Sequence, residues 1–249
     1  MKKILLTLLL GLMTGVMSAQ TRWLDDVTYQ VRLGFSMGGT APIGLPATLR
    51  ELNKYSVQPN LMLALEASKP LNERWGLLAG LYIEDKDMLV DARVKNYHME
   101  IIQGGQSLEG MFTGDVETNV DERMLTLPLQ LTYGLTDRFK LKAGPYFSYL
   151  MTGNFSGSVH DGYLRVGDPT GSKILMGEAE NERGIYDFSD HLRHFQWGVN
   201  VGVDWHAYKR FGVFLDLSWG LSQIFHSDFN TIEQNRYPIY GKLGVTYKL

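Results

Sequence analysis

A histidine beside an acid or a hydroxyl is the smallest unit from which a hydrolytic site could be built. The chain has such neighbours at His160-Asp161, Asp190-His191 and His226-Ser227. A nucleophile and its base must share one surface within hydrogen-bond reach. Adjacent residues of an extended segment point opposite ways, so none of these pairs is a working couple by itself. His194 and His206 have no matched serine. Neither HExxH nor an EF-hand loop occurs. Asp85, Asp87 and Asp91 crowd one stretch, but Lys86 stands among them and the spacing is a weak metal signal. With no cysteine, a disulfide framework, a thiolate metal site and an N-terminal lipoprotein anchor are excluded. No catalytic, metal or cofactor-binding residue is expected, and no cofactor.

The remaining charged residues follow a different regularity. Arg32, Glu66, Glu84, Lys140, Lys142, Asp204, Asp216 and Lys242 share alternate positions with glycine and small polar residues, and the positions between are mostly bulky and apolar. The clearest stretch sets Val27, Tyr29, Val31, Leu33, Phe35 and Met37 against Thr28, Gln30, Arg32, Gly34, Ser36 and Gly38. Strand side chains alternate between the faces of a sheet, so this is a two-faced strand. Seven further stretches read the same way, at 57–68, 75–84, 125–133, 139–151, 195–205, 211–221 and 239–249, and none carries a charge on its apolar face.

A soluble sandwich or lipocalin also alternates, with the apolar face inside. An uncharged bulky face on eight strands, with short and long connections in turn and an export signal, matches the transmembrane pattern instead, in which apolar residues face lipid. The expected fold class is therefore all-β: an eight-stranded antiparallel transmembrane β-barrel with long extracellular loops forming extended hairpins. Hydrophobic residues make up 44% and mean hydropathy is −0.15, far from a helical membrane protein. The net charge of −3 gives no electrostatic footprint for nucleic acid, and no nucleic-acid partner is expected.

Lys2 and Lys3, the apolar run 4–16 and Met17-Ser18-Ala19 read as a cleaved signal peptide, 1–19, leaving a barrel domain, 20–249. An N-terminal anchor is the alternative, but the run falls short of the ~20 residues a spanning helix needs. Three connections are tight, at 69–74, 134–138 and 207–210; four are longer, at 39–56, 85–123, 152–194 and 222–237. Short turns belong to the periplasmic side of such barrels, which puts both termini there and the long loops outside the cell. The stretches 88–94 and 158–166 still read as strand and 167–171 as a turn, so the wall is expected to project beyond the membrane in two hairpins. Loops this long usually do something, and an outward-facing binding role is expected of them. Pro128 and Pro145 fall near one another across a hairpin, where each forfeits a ladder bond; a local break, or a bulge, is expected there.

Aromatic residues mark the stretch ends. Trp75, Tyr133, Phe139, Trp205, Phe211 and Tyr247 lie beside the short turns or at the last strand's end, and Trp197 and Trp219 lie toward the opposite ends. Two girdles at the membrane interfaces are expected from them, with outer-membrane lipid as partner. Inside, Arg32 is matched with Glu66, Lys142 with Asp204, and Asp216 with Lys242 as a structural polar network, because buried charges are tolerable only when paired. A sealed polar plug follows, with a narrow or gated conduit as the alternative.

An ordered set of motifs adds to this: 33–46, Val94-Lys95-Asn96-Tyr97, Gly110-Met111-Phe112-Thr113-Gly114, Lys142-Ala143-Gly144-Pro145-Tyr146-Phe147, Gly167-Asp168-Pro169-Thr170-Gly171, Tyr186-Asp187-Phe188-Ser189 and Tyr237-Pro238-Ile239-Tyr240-Gly241. Together they resemble the PorT-like outer-membrane β-barrel (porin) family of Bacteroidota over nearly all of the chain after the signal. The resemblance implies an outer-membrane location and, through the family's best-known member, assistance to type IX secretion by loop contacts with secretion-machinery or surface proteins. It transfers no site residue. One departure is the ending Tyr247-Lys248-Leu249, where barrels commonly end in an aromatic residue. The alternatives are a small-solute porin or purely structural barrel and, from the enzyme class, an outer-membrane lipid hydrolase.

Overall fold

The computed structural model describes residues 26–42, 47–58, 60–226, 229 and 236–249; the expected signal segment, Pro59 and Ser227 lie outside them. The described residues form twelve strands rather than the eight expected. They are β1 (Thr28–Pro42), β2 (Leu49–Val57), β3 (Asn60–Pro70), β4 (Trp75–Asp85), β5 (Met88–Gln103), β6 (Gln106–Gly134), β7 (Phe139–Val166), β8 (Lys173–Met176), β9 (Gly184–Asp187), β10 (Phe195–Tyr208), β11 (Phe211–Gly220) and β12 (Arg236–Lys248). The count is corrected because the long connections make strands of their own: β2, β5, β8 and β9 all lie within them.

All pairings are antiparallel. The ladder runs β1–β3–β4–β6–β7–β10–β11–β12 and returns to β1. The seam sets Gln30 opposite Lys248 and Pro42 opposite Arg236. Closure leaves this ring without a free strand edge. The remaining strands extend one end of it: β5 lies on β6, β2 on β5, and β8 and β9 on β7. We call that end the head, and the end with the tight turns the lower rim.

Two of those turns are tied by side chains. Asn72 Oδ1 accepts the N–H groups of Arg74 and Trp75 at 3.0 and 2.8 Å. Thr136 Oγ1 accepts those of Arg138 and Phe139 at 3.3 and 3.1 Å. These are the side-chain-to-backbone turns that Asn and Thr favour. At the head, the β5–β6 hairpin turns on Gly104 and Gly105, with φ of 58° and 79°. Glycine enters this left-handed region without the cost a Cβ imposes.

In the ring the alternation appears as read. On β4, Trp75, Leu77, Leu81 and Ile83 face outward and are exposed, whereas Leu78, Tyr82 and Glu84 face in and are buried. Nine residues at about 3.4 Å each, tilted about 40°, rise roughly 20–25 Å, close to the apolar band of outer-membrane barrels.

Along β6 the polarity reverses. Below Met124 the outward residues are Leu125, Leu127, Leu129 and Leu131; above it they are Glu117, Asn119, Asp121 and Arg123. The inward residues change in the opposite sense, from Thr126, Gln130 and Thr132 to Phe112, Val116 and Val120. The β6–β7 register shifts at this boundary, between Arg123 and Met124. Above it Phe155 and Val159 of β7 face in, where Ser148 and Leu150 do below.

The expected proline break is present as a gap, not a bulge. Pairing of β6 with β7 stops after Pro128↔Tyr146 and resumes at Leu131↔Ala143 in unchanged register. Each proline lacks the N–H a ladder needs, and both fall at this gap.

Candidate functional site

The ring's interior holds two charged layers beneath an apolar lid. In the first, Arg32 of β1 is fully buried. Its Nη1 donates to Glu66 Oε1 at 2.8 Å, Asp216 Oδ2 at 3.0 Å and the Tyr82 hydroxyl at 3.1 Å, and its Nη2 to Asp204 Oδ1 at 3.0 Å. One guanidinium therefore ties β1 to β3, β4, β10 and β11. Lys142 Nζ adds contacts of 2.8 Å to Asp204 and 3.0 Å to Asp216. Gln30 Nε2 and the Tyr82 hydroxyl also donate to Glu66. The Arg32 guanidinium lies 3.6 Å over the ring of Phe214. That ring has room because Gly34 and Gly244 face each other across the seam; a Cβ on either would come within 2.7 Å of it.

The second layer centres on Glu84. Its Oε2 meets Lys242 Nζ at 2.5 Å, its Oε1 meets Lys86 Nζ at 3.2 Å, and Thr126 Oγ1 donates to it at 2.9 Å. Here the expected pairing of Asp216 with Lys242 is corrected. The two are register neighbours on β11 and β12, but Lys242 turns to Glu84 while Asp216 joins Arg32 and Lys142. Side chains meet across the lumen, which pairing by adjacent strands misses. The Glu122 carboxylate, the Gln196 side-chain amide and the Tyr240 hydroxyl are also buried, without a side-chain hydrogen bond of good geometry among the described residues. They are groups an internal water would serve.

Lys86 had no place in the expected network. Standing between Asp85 and Asp87 it reads as a solvated loop residue, yet it is 1% exposed. Its backbone N–H is tied to Glu122 O at 2.8 Å, which turns the side chain into the lumen. Tyr82 and Phe214 were missed as well; the signal available was a large aromatic residue on an otherwise small or polar inward face.

Above these layers the head has an ordinary apolar core. Met88, Tyr97, Ile101, Phe112, Phe155 and Leu164 belong to it, together with Tyr186, Phe188, Leu192 and Phe225 from the connections that fold over the opening. Phe225 packs edge-on to Phe155 at 4.8 Å and against Phe229 at 4.7 Å. Burial pushes the Tyr186 hydroxyl's pKa up, and that hydroxyl donates to Glu117 O at 2.8 Å. The histidines singled out in the sequence, His206 of β10 apart, lie in the head and its connections. His191 stacks on Phe229 at 4.7 Å, His160 stands opposite Asp115, and Ser189 Oγ donates to Asp187.

The aromatic residues at the strand ends occupy the ring's outer surface. At the lower rim they meet in pairs across strands: Trp75 with Tyr133 at 4.8 Å, Phe139 with Trp205 at 6.1 Å, and Phe211 with Tyr247 at 5.0 Å. Trp197 and Trp219 are exposed nearer the head.

A closed antiparallel ring with charge inside and leucine outside is the architecture of a transmembrane barrel. A family model described as outer membrane protein β-barrel domain matches residues 18–226, and the chain belongs to that family, which resides in the bacterial outer membrane. No curated protein matches it in sequence. Similar solved structures include the attachment invasion locus protein Ail of Yersinia pestis, at 9% identity and TM-score 0.41, covering 90% of this chain and 99% of that one. Others are OprG of Pseudomonas aeruginosa, at 15% and 0.39 with coverage of 89% and 95%, and CarO2 of Acinetobacter baumannii, at 12% and 0.42 with coverage of 89% and 99%.

Proposed function

We propose that this chain is a non-enzymatic outer-membrane barrel that acts through its head, by contact with partner proteins, and that its lumen is a structural plug. The observation that carries this is the double closure of the lumen. Arg32, at 0% exposure, bridges five strands through the middle, and an apolar core fills the space above. A small-solute porin needs a wetted path; a lumen this size fills with side chains. The head is the part built to meet something else: β5, β6 and β7 carry a rigid paired sheet well beyond the apolar band. The signal segment and the short turns support an orientation with both termini in the periplasm and the head outside. The PorT-like resemblance directs the choice of partner to secretion machinery or surface proteins of a type IX-like route.

Deleting the gene while assaying surface-protein export and outer-membrane permeability tests this. Lost export with unchanged permeability is expected; intact export would remove the secretion partner. Planar-bilayer recording of the purified protein is expected to show no steady conductance, and a stable open level would replace the plug with a porin. A shifted acyl pattern in lipid A of the deletion strain would reopen the hydrolase reading.

A further inference from the structure

The three tight turns of the lower rim end alike. Arg74-Trp75, Arg138-Phe139 and Arg210-Phe211 each place an arginine directly before an aromatic residue that opens a strand. The surroundings repeat as well. Each aromatic residue packs against one on the next strand of the ring: Tyr133, Trp205 and Tyr247. Each arginine's carbonyl accepts the backbone N–H of the residue after that partner: Gly134 at 2.7 Å, His206 at 2.7 Å and Lys248 at 2.9 Å. The same small unit, an arginine pinned beside an outward-facing aromatic pair, thus occurs on three sides of the ring.

All three arginines are exposed. None makes an ion pair among the described residues. The one side-chain hydrogen bond among them, Arg74 Nη1 to the Tyr133 hydroxyl at 3.4 Å, lays that guanidinium along its own aromatic pair. A guanidinium is a planar fork that binds a phosphate diester bidentately. An aromatic pair at the edge of an apolar band sits at headgroup depth.

We propose that each unit is a binding site for one anionic phospholipid headgroup. The arginine takes the phosphate, and the aromatic pair takes the glycerol shoulder and the first methylenes of the chains. The occupant is a lipid of the leaflet that the lower rim faces, so the proposal rests on the membrane location. Three sites preferring an anionic headgroup over a zwitterionic one are the consequence, because a cation near an anionic headgroup gains about fivefold in affinity where a zwitterion offers little.

The protein in nanodiscs of equal phosphatidylglycerol and phosphatidylethanolamine, released and weighed by native mass spectrometry, tests this. Wild type is expected to retain up to three phosphatidylglycerols, in about fivefold preference at each site. Each single variant, Arg74→Gln, Arg138→Gln or Arg210→Gln, is expected to lose one, the triple variant to lose the preference, and triple Arg→Lys to keep part of it. Equal retention of both lipids, or a triple glutamine variant that binds like wild type, overturns the proposal. Because these side chains are exposed, folding is expected to survive, as the heat-modified gel shift checks; the single variants carry the test should the triple one fail. Failure to enter the nanodisc would instead challenge the membrane location.

Discussion

The lower barrel and the head are built from the same strands with opposite solvents in mind. On β6, one row of outward positions runs from Leu131 up to Leu125 and then changes to Arg123, Asp121, Asn119 and Glu117. The row facing in changes at the same height from threonine and glutamine to phenylalanine and valine. Below, the wall is cohesive through charge and hydrogen bonds in its middle, because its outside already meets an apolar medium. Above, water surrounds the wall, so burial of apolar side chains drives assembly. A barrel can therefore outgrow its membrane without a new fold; it exchanges the chemistry of its two faces.

That contrast can be broken at several points. The largest effect is expected from Arg32→Leu, which takes from Glu66 its one ion-pair partner among the described residues and leaves Asp204 and Asp216 with Lys142 alone. Removing one partner from a buried charged group costs about 3–5 kcal/mol, to be read from urea titration of folding into vesicles. Phe155→Ala, at the centre of the head, should cost about 3–4 kcal/mol, but locally: limited proteolysis should open the head while the ring stays heat-modifiable. Global unfolding with that variant would show the two regions to be one cooperative unit. Leu129→Arg, midway along the outward leucine row, is expected to cost about 2–4 kcal/mol. Asn119→Arg, on the same face but in the head, should stay within about 0.5 kcal/mol. Equal costs in the same vesicle titration would sink the division. Among the changes expected to destabilise, the smallest effect falls to Gly104→Ala. Its Cβ meets nothing within 4 Å, so only the left-handed backbone is penalised, by about 1 kcal/mol, seen as earlier nicking of the β5–β6 turn.

The wall stretches were legible because lipid on one side and a narrow lumen on the other force a period of two with no exceptions of charge. The head was less so. Asn96 and Asp161 take positive φ, 54° and 44°, and local register shifts accompany them, so the alternation loses phase within β5 and β7. On β6 the head's inward row is diluted by Gly114 and Thr118, which hides Phe112, Val116 and Val120 as a face. The network's members were readable and its partners were not. Sequence gives a residue's height along its strand, whereas Glu84 and Lys242 meet across the lumen from strands separated on the wall by β1 and β3. Lys86 was hidden for a simpler reason: a backbone tie to Glu122 turns a residue flanked by acids inward.

The seam between β1 and β12 has a consequence for how the molecule assembles. Gln30 finds Lys248 only after almost the whole polypeptide has been laid down, whereas Gln103 finds Gln106 across a two-residue turn. Contacts that close long spans form slowly and late, and short ones early. The part that stands clear of the bilayer can thus settle its register while the cylinder is still an open curtain, with two unzipped borders. Whatever escorts the polypeptide into the bilayer must hold those borders apart until the last strand arrives.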